Sequence, residues 1–125
     1  MIMLVAEADV PALWTLEKHL TKLSSWGIES DQCRVLINRY HRSDEDAIKA
    51  FEKRTKQEVF ARLPNDFRQV SEAINLGTPL SRNHNNPLVS NFQQLATRLT
   101  GTVVTTEQEK KGSTIFGLFS NSSKR

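Results

Sequence analysis

The sequence EVFARLPNDFRQVSEAINLGTPL, from Glu58 to Leu80, decides the fold because it predicts a strand, a polar turn and a capped helix in direct succession. Residues 58–63 alternate β-prone apolar residues with smaller or polar ones, and Pro64 ends the strand because it has no N–H to donate. Asn65 and Asp66 form the turn and offer a side chain to cap the next helix. A polar loop that follows a strand and opens a helix is where open α/β sheets bind ligands.

The helix after this turn carries an apolar stripe and ends at a glycine. Its apolar residues recur at i, i+3 and i+7 on one face, at Phe67, Val70 and Ile74. Gly77 ends the helix and Pro79 follows it, which is a common pattern at a helix C-terminus. The whole stretch therefore predicts one strand–helix unit.

Two earlier segments predict strands of the same sheet. Ile2–Ala6 is apolar at every position, which is typical of an interior parallel strand with both faces buried. Arg34–Asn38 repeats this pattern in Val35, Leu36 and Ile37. Because parallel strands need crossover connections, we expect a helix after each of them.

The predicted helices between these strands have recognisable start and stop signals. Asp9 and Pro11 begin one helix, which Gly27 ends. Ser43 with Asp46 resembles a capping box for the next helix. The apolar positions are Leu13, Leu16, Leu20 and Leu23 on the first helix, and Ala47, Ile48 and Phe51 on the second.

The last part of the chain predicts one more helix and a tail. The polar segment SRNHNNP, residues 81–87, leads to a helix that Gly101 ends. Its apolar positions are Leu88, Phe92, Leu95 and Leu99. Residues 101–125 are poor in apolar residues, which predicts a flexible tail. The order β-α-β-α-β-α with a C-terminal helix predicts an α/β fold over residues 1–100, a three-layer structure around a parallel sheet.

Composition and charge limit the classes of function. A chain of 125 residues with 38% hydrophobic content is long enough for one core. Its charge of +3 comes from basic residues scattered among 14 acidic ones, which argues against nucleic-acid binding. The single Cys33 fits a reducing compartment. No apolar run approaches the roughly 20 residues of a membrane span, and the N-terminus lacks the basic region of a signal peptide, so we expect a cytoplasmic protein.

Two polar clusters are expected to meet at the carboxyl edge of the sheet. They are Asn38, Arg39 and Tyr40 after the second strand, and Pro64, Asn65 and Asp66 after the third. Together they could line one pocket, and an asparagine carboxamide, which donates and accepts, suits the edge of an adenine-like base. The alternative is that Asn38 caps the next segment and that Asn65 and Asp66 only form the turn.

No group of side chains indicates a catalytic or metal site. His19, His41 and His84 have no second ligand three or four residues away, as metal binding on one helix face would need. No serine or cysteine has a recognisable base to activate it.

Three segments resemble one protein family. They are VAEADVPALWTLEKHLTKL at residues 5–23, VLINRYHR at residues 35–42, and the stretch from Glu58 to Leu80. The sequence resembles the C-terminal half of the MinD/ParA-type ATPases, most closely the CpaE/TadZ-like proteins of Flp pilus assembly, over residues 2–100. Trp14 departs from the family, where a basic residue is expected. The resemblance implies the C-terminal portion of a P-loop NTPase-like domain, in which Asn38, Arg39 and the loop Pro64–Asp66 belong to the base side of an ATP site.

The resemblance implies a function that this chain carries only in part. The family binds phosphate through a glycine-rich loop of the pattern K-G-G-x-G-K-[ST], and the nearest segment here, Lys111–Thr114, lacks the second Gly-Lys pair. The family's acidic magnesium ligands are also absent. We therefore expect a truncated or degenerate CpaE/TadZ-like localisation ATPase that is not catalytic alone. ATP or ADP with Mg would bind only if a missing N-terminal half completed the site.

Two alternatives to this function remain open at the level of the sequence. One alternative is a stand-alone interaction module of a pilus or secretion system. The other is a fragment of a partition or division-site ATPase. The expected partners are pilus or secretion assembly proteins, with a homodimer as a further option. In a truncated chain, Ile2–Ala6 would expose apolar surface and an unpaired edge.

The tail suggests a contact with the membrane surface. The residues concerned are Lys110, Lys111, Ile115, Phe116, Leu118 and Phe119. In a helix, the four apolar residues would form one face with lysines upstream, which resembles in kind the membrane-targeting segment of MinD-like proteins. This predicts a weak, peripheral contact with the inner membrane. The alternative is a disordered tail with no such role.

Overall fold

The computed structural model describes residues 1–80 and 86–102. The elements in chain order are β1 (Ile2–Ala6), α1 (Val10–Ser25), β2 (Cys33–Tyr40), α2 (Glu45–Thr55), β3 (Val59–Pro64), α3 (Phe67–Leu76) and α4 (Pro87–Thr100). Single 3-10 turns at Ser30–Gln32 and Arg42–Asp44 flank β2. The strands are all parallel and lie in the order β1-β2-β3. The predicted α/β fold with three parallel strands is confirmed.

Helices cover the sheet on both faces, which gives three layers. The core on the first face consists of Leu13, Leu16, Val35, Ile37, Ile48, Phe51 and Val59, from α1, α2 and the sheet. The core on the second face consists of Leu36, Leu63, Leu88 and Leu95, from the sheet and α4. Successive residues of β2 supply opposite faces because strand side chains alternate.

β1 is an edge strand, so the prediction of a strand buried on both faces is wrong for this chain. It pairs with β2 from Ile2 to Ala6, and no described residue pairs with its other edge. Leu4 packs against the first core, whereas Met3 and Val5 on the opposite face are 38% and 58% exposed. An apolar run shows that a strand is suited to burial on both faces, but the strand is buried only where another layer covers it.

Local capping signals fix the ends of three helices as predicted. The Asp9 side chain accepts from the Ala12 N–H at 2.7 Å and begins α1. Gly77 and Gly101 end α3 and α4 in the left-handed region, with φ of 62° and 69°. The predicted capping box at α2 is wrong. Instead, the carboxylate of Asp44 accepts from the His41 N–H at 2.7 Å in the preceding 3-10 turn.

The apolar stripes of α3 and α4 are buried only in part. On α3, Phe67 and Ile74 are 70% and 73% exposed, and Val70 alone of that stripe packs against the second core. On α4, Leu88 and Leu95 are buried while Phe92 and Leu99 remain exposed. Amphipathic spacing therefore identified the helices correctly without showing which residues are covered.

Two parts of the sequence lie outside the described residues. They are residues 81–85 and residues 103–125, which include the tail residues Lys110, Lys111, Ile115, Phe116, Leu118 and Phe119. Among the residues that are described, no helix is long and apolar enough to cross a membrane.

Candidate functional site

A cavity of about 240 Å³ opens at the carboxyl ends of β2 and β3. Its lining consists of Asn38, Arg39, Pro64, Asn65, Asp66, Phe67, Val70, Leu80, Leu88 and Phe92. All five residues that the sequence nominated for a ligand site are among them. The predicted meeting of the two polar clusters is therefore found in the structure, and ligand binding by these residues stays a prediction.

Pairing at the ends of β2 and β3 joins the two clusters. Tyr40 lies opposite Pro64 in the ladder, and the Asn65 N–H donates to the Tyr40 carbonyl at 3.2 Å. The side-chain amide of Asn65 lies 3.0 Å from Nε2 of His41, so the amide N–H donates to the ring when Nε2 carries no proton. Asn65 is thus held by one backbone and one side-chain contact beyond the end of β2.

The backbone of Arg39 is unusual and turns the chain at the mouth of the cavity. Its φ of 52° lies in the left-handed region, which is uncommon for a residue with a Cβ, and the β2–β3 ladder is irregular between Ile37 and Tyr40. The Arg39 guanidinium lies 3.3 Å from the Glu7 carboxylate, just after β1. Both side chains are about half exposed, so this pair contributes at most about 1 kcal/mol. The pair links the end of β2 to the residue that follows β1.

A chain of hydrogen bonds fixes the two helices that form the apolar wall. The carboxylate of Asp66 accepts from the Gln69 N–H at 3.2 Å and caps α3. The Gln69 side chain in turn accepts from the amide of Asn86, whose oxygen accepts from the Leu88 N–H at 2.8 Å and caps α4. Asn86 is only 4% exposed. The beginnings of α3 and α4 are therefore tied together at the cavity.

Behind the polar rim, α2 is attached to the sheet by a charged network. Glu45 accepts from the Tyr40 hydroxyl at 3.1 Å and lies 3.4 Å from Nε of Arg62. Nη2 of Arg62 lies 3.6 Å from the Glu52 carboxylate. Glu52 accepts from the Val59 N–H at 2.8 Å at the start of β3. Burial raises the pKa of the Tyr40 hydroxyl above its usual 10.0, and the hydrogen bond to Glu45 raises it further. This network joins α2 to the end of β2 and to both ends of β3.

The alternative, that the polar residues at this edge only form turns and helix caps, holds for Asp66 and does not hold for Asn38. Asp66 is a helix cap, as that explanation requires. Asn38 is exposed and caps none of the described helices, and the 3-10 turn that follows uses His41 and Asp44 instead. None of the hydrogen bonds among the described residues uses the Asn38 carboxamide. Asn38 lines the cavity, and its carboxamide has no hydrogen-bond partner in the described part of the chain.

The apolar half of the cavity was not identified from the sequence. It consists of Phe67, Val70, Leu80, Leu88 and Phe92, from α3, α4 and the segment between them. The spacing of Leu88 and Phe92, four residues apart, places them on one helix face. Nothing in that spacing indicated that the face would reach the ends of β2 and β3.

The cavity combines a polar rim with an apolar wall. Its volume of about 240 Å³ lies below the 300–1,000 Å³ of common small-molecule sites. In residues 1–80 and 86–102, no three His, Cys, Asp or Glu side chains are grouped to hold a metal ion. The sequence also has no glycine-rich phosphate loop.

This chain is similar to MinD proteins in sequence and in structure. No protein-family model matches the sequence. The septum site-determining protein MinD of Thermotoga maritima is 27% identical over 116 residues, which cover 86% of this chain and 41% of that protein. The MinD cell division protein of Aquifex aeolicus has a similar structure, with a TM-score of 0.66 and 18% identity over 82% of this chain and 44% of that one.

The chain therefore spans less than half the length of either MinD protein. The structural similarity establishes the fold, and the sequence similarity is weak but extends over most of the chain. Neither match concerns a CpaE/TadZ-like protein. This chain thus has the α/β fold of part of the MinD P-loop NTPase domain and is similar in sequence to MinD.

Proposed function

We propose that this chain forms the base-binding side of a nucleotide site in an ATPase domain of the MinD/ParA type. The observation that carries the proposal is the cavity at the carboxyl ends of β2 and β3, which Asn38 and Asn65 line together with the apolar residues Phe67 and Phe92. Ligands of open α/β sheets bind at this edge.

The chemistry of the cavity supports a purine base. Carboxamides donate and accept at once, which matches the donor–acceptor edge of adenine. Aromatic and aliphatic side chains on the opposite side suit the faces of a flat ring. Phosphates and magnesium have no recognisable ligands in this sequence, so the proposed role of the chain is recognition of the base and not hydrolysis.

The cellular role that we propose is the localisation of Flp pilus assembly, in a CpaE/TadZ-like ATPase. The motifs around Asn38 and Pro64–Asp66 support this assignment. The second candidate is placement of the division septum, which the similarity to Thermotoga maritima MinD favours. Deletion of the gene in its host separates the two, because loss of Flp pili with normal septa supports the first role and displaced septa support the second.

Base recognition is testable by titrating the chain with adenosine and following backbone NMR shifts. We expect the shifts to cluster at the carboxyl ends of β2 and β3 and at the start of α3. Asn38→Ala should weaken adenosine binding about tenfold, because the loss of two hydrogen bonds amounts to about 1.4 kcal/mol. Asn75→Ala, at an exposed asparagine of α3 outside the cavity, is the matched control and should bind as the unsubstituted chain.

Two results would contradict the proposal. One is the absence of shifts around the cavity at millimolar adenosine. The other is equal weakening by Asn38→Ala and Asn75→Ala, which would mean that the carboxamide at the end of β2 makes no specific contact.

A further inference from the structure

The outer side of α1 carries both tryptophans of the chain. Trp14 is 59% exposed in the described structure, and Trp26, at the C-cap of the helix, is 66% exposed. Val10, the first residue of α1, is 77% exposed. A single exposed apolar side chain needs no explanation, whereas two large aromatic rings on one helix form a surface that is suited to contact with a partner.

Each of these rings is paired with a lysine one helical turn away. The ammonium group of Lys18 lies 5.1 Å from the centre of the Trp14 ring, and that of Lys22 lies 5.2 Å from the centre of the Trp26 ring. Residues four apart lie on the same side of a helix, and a cation over an aromatic ring is attracted to the face of that ring. The outer side of α1 therefore presents aromatic surface and positive charge together.

The outer side of α1 carries no negative charge to neutralise these lysines. The helix contains one acidic residue, Glu17, whose carboxylate lies 2.7 Å from Nε of Arg54 on α2. At 3.6 residues per turn, Lys18 lies nearly opposite the buried residues Leu13 and Leu16 and thus points away from the sheet. An anionic partner complements this side of the helix.

We propose that the outer face of α1, defined by Trp14, Lys18, Lys22 and Trp26, docks on the surface of an anionic lipid bilayer. Tryptophan lies at the level of the lipid headgroups because its ring is largely apolar while its indole N–H is polar. Each lysine beside an acidic headgroup strengthens the contact about fivefold. The contact is made by the folded domain, so it is separate from the base site and from residues 103–125.

A flat surface accounts for both tryptophans, whereas a groove accounts for one. Trp14 and Trp26 are twelve positions apart, which is about 18 Å along a helix axis. A groove of about 490 Å³ between α1 and α2 is lined by Trp14 and Lys18, and neither Lys22 nor Trp26 is among its lining residues. A peptide of a partner protein in that groove would leave the second lysine–tryptophan pair without contact. The spread of the two pairs along the helix therefore favours a bilayer.

The chain contains its own probe for this contact, because its two tryptophans both belong to the outer face of α1. Vesicles of an equal mixture of phosphatidylglycerol and phosphatidylcholine should shift the indole emission of the whole 125-residue chain to shorter wavelength, and vesicles of phosphatidylcholine alone should not. Lys18→Gln combined with Lys22→Gln should weaken binding about thirtyfold. The matched control is Arg68→Gln combined with Arg98→Gln, which removes the same charge from exposed sites on α3 and α4 and should leave most of the affinity unchanged.

Acrylamide quenching of the chain without vesicles shows first whether residues outside the described ranges cover the two rings. We expect the rings to be quenched nearly as strongly as in the urea-unfolded chain, and shielded rings would overturn the proposal. Vesicle binding without a change in indole emission would assign the contact to residues 103–125 and also overturn it. Accessible rings with no binding at millimolar lipid would leave the face to a protein partner instead. Equal binding to neutral vesicles, or equal weakening by the two double variants, would contradict the role of Lys18 and Lys22. None of these results depends on adenosine binding, so the proposed function is tested separately.

Discussion

Asn86 is expected to be a far more sensitive helix cap than Asp9. Both side chains accept a hydrogen bond from the first turn of a helix, Asn86 from the Leu88 N–H at 2.8 Å and Asp9 from the Ala12 N–H at 2.7 Å. Asn86 is 4% exposed and also donates to Gln69, whereas Asp9 is exposed. Asn86→Ala and Asp9→Ala therefore remove the same kind of cap from different surroundings.

The structure sets the expected size of each effect. Asp9→Ala frees an N–H that water can reach, so the loss is the usual cost of a missing cap, about 1 kcal/mol. Asn86→Ala leaves the Leu88 N–H in a buried position, which costs about 1–3 kcal/mol. It also removes the hydrogen bond to Gln69, worth about 1 kcal/mol. The expected total for Asn86→Ala is about 2–4 kcal/mol.

Urea denaturation followed by circular dichroism measures both losses. With a slope of about 1–3 kcal/mol per molar urea, the midpoint of Asn86→Ala should lie about 1 M below that of Asp9→Ala. Asn86→Asp keeps the capping oxygen but replaces the donor to Gln69 with a second acceptor in a buried position, so its midpoint should also lie below that of the parent. Equal midpoints for the two alanine variants would refute the reasoning, since burial of the cap would then have no effect.

Four further predictions concern the core, a tyrosine, catalysis and the tail. Phe51→Ala removes a fully buried ring and should cost about 3–5 kcal/mol by urea denaturation, whereas Ile74→Ala at an exposed site should stay within about 0.5 kcal/mol; similar losses would mean that the first core is wrongly assigned. Because the pKa of Tyr40 is raised in the folded state, its contribution to stability is complete below pH 10 and is lost as the pH rises through the raised value. The stability difference between the parent and Tyr40→Phe should therefore shrink above pH 10, and a growing difference would contradict the assigned contacts. The chain alone should show no ATP hydrolysis above background, and turnover that survives purification but disappears in Asn38→Ala would show otherwise. In sedimentation with anionic liposomes, the whole chain should bind weakly and in a salt-sensitive way, and equal partitioning of a chain ending at Gly101 would exclude the tail from membrane contact.

The stretch from Glu58 to Leu80 could be interpreted correctly because its signals are local. Pro64 ends β3, Asp66 caps α3 and Gly77 ends it, each through contacts within a few residues along the chain. The capping box expected at Ser43 failed because Asp44 bonds instead to the His41 N–H, one turn earlier. Several polar residues competed for the same helix start there, and only the geometry of the connection after β2 decides among them.

The polar half of the candidate site could be predicted from the sequence, and the apolar half could not. Parallel strands end at one edge, so the order of the elements was sufficient to place Asn38 beside Asn65. The apolar wall from Phe67 to Phe92 depends on how α3 and α4 pack, and that packing runs through Asn86 and Gln69, 17 residues apart. A contact of that range leaves no periodic signal in the sequence.

The sequence by itself determined the order of the strands and helices, the ends of most helices, and the edge of the sheet at which two polar loops meet. These features follow from turn and capping chemistry between near neighbours and from the common direction of parallel strands. Only the tertiary structure decided which apolar residues are covered. Ile2–Ala6 has the composition of an interior strand, yet Met3 and Val5 remain exposed because no described helix lies above them. A side chain is buried only where a second surface packs against it, and the sequence of one surface does not show whether that second surface is present.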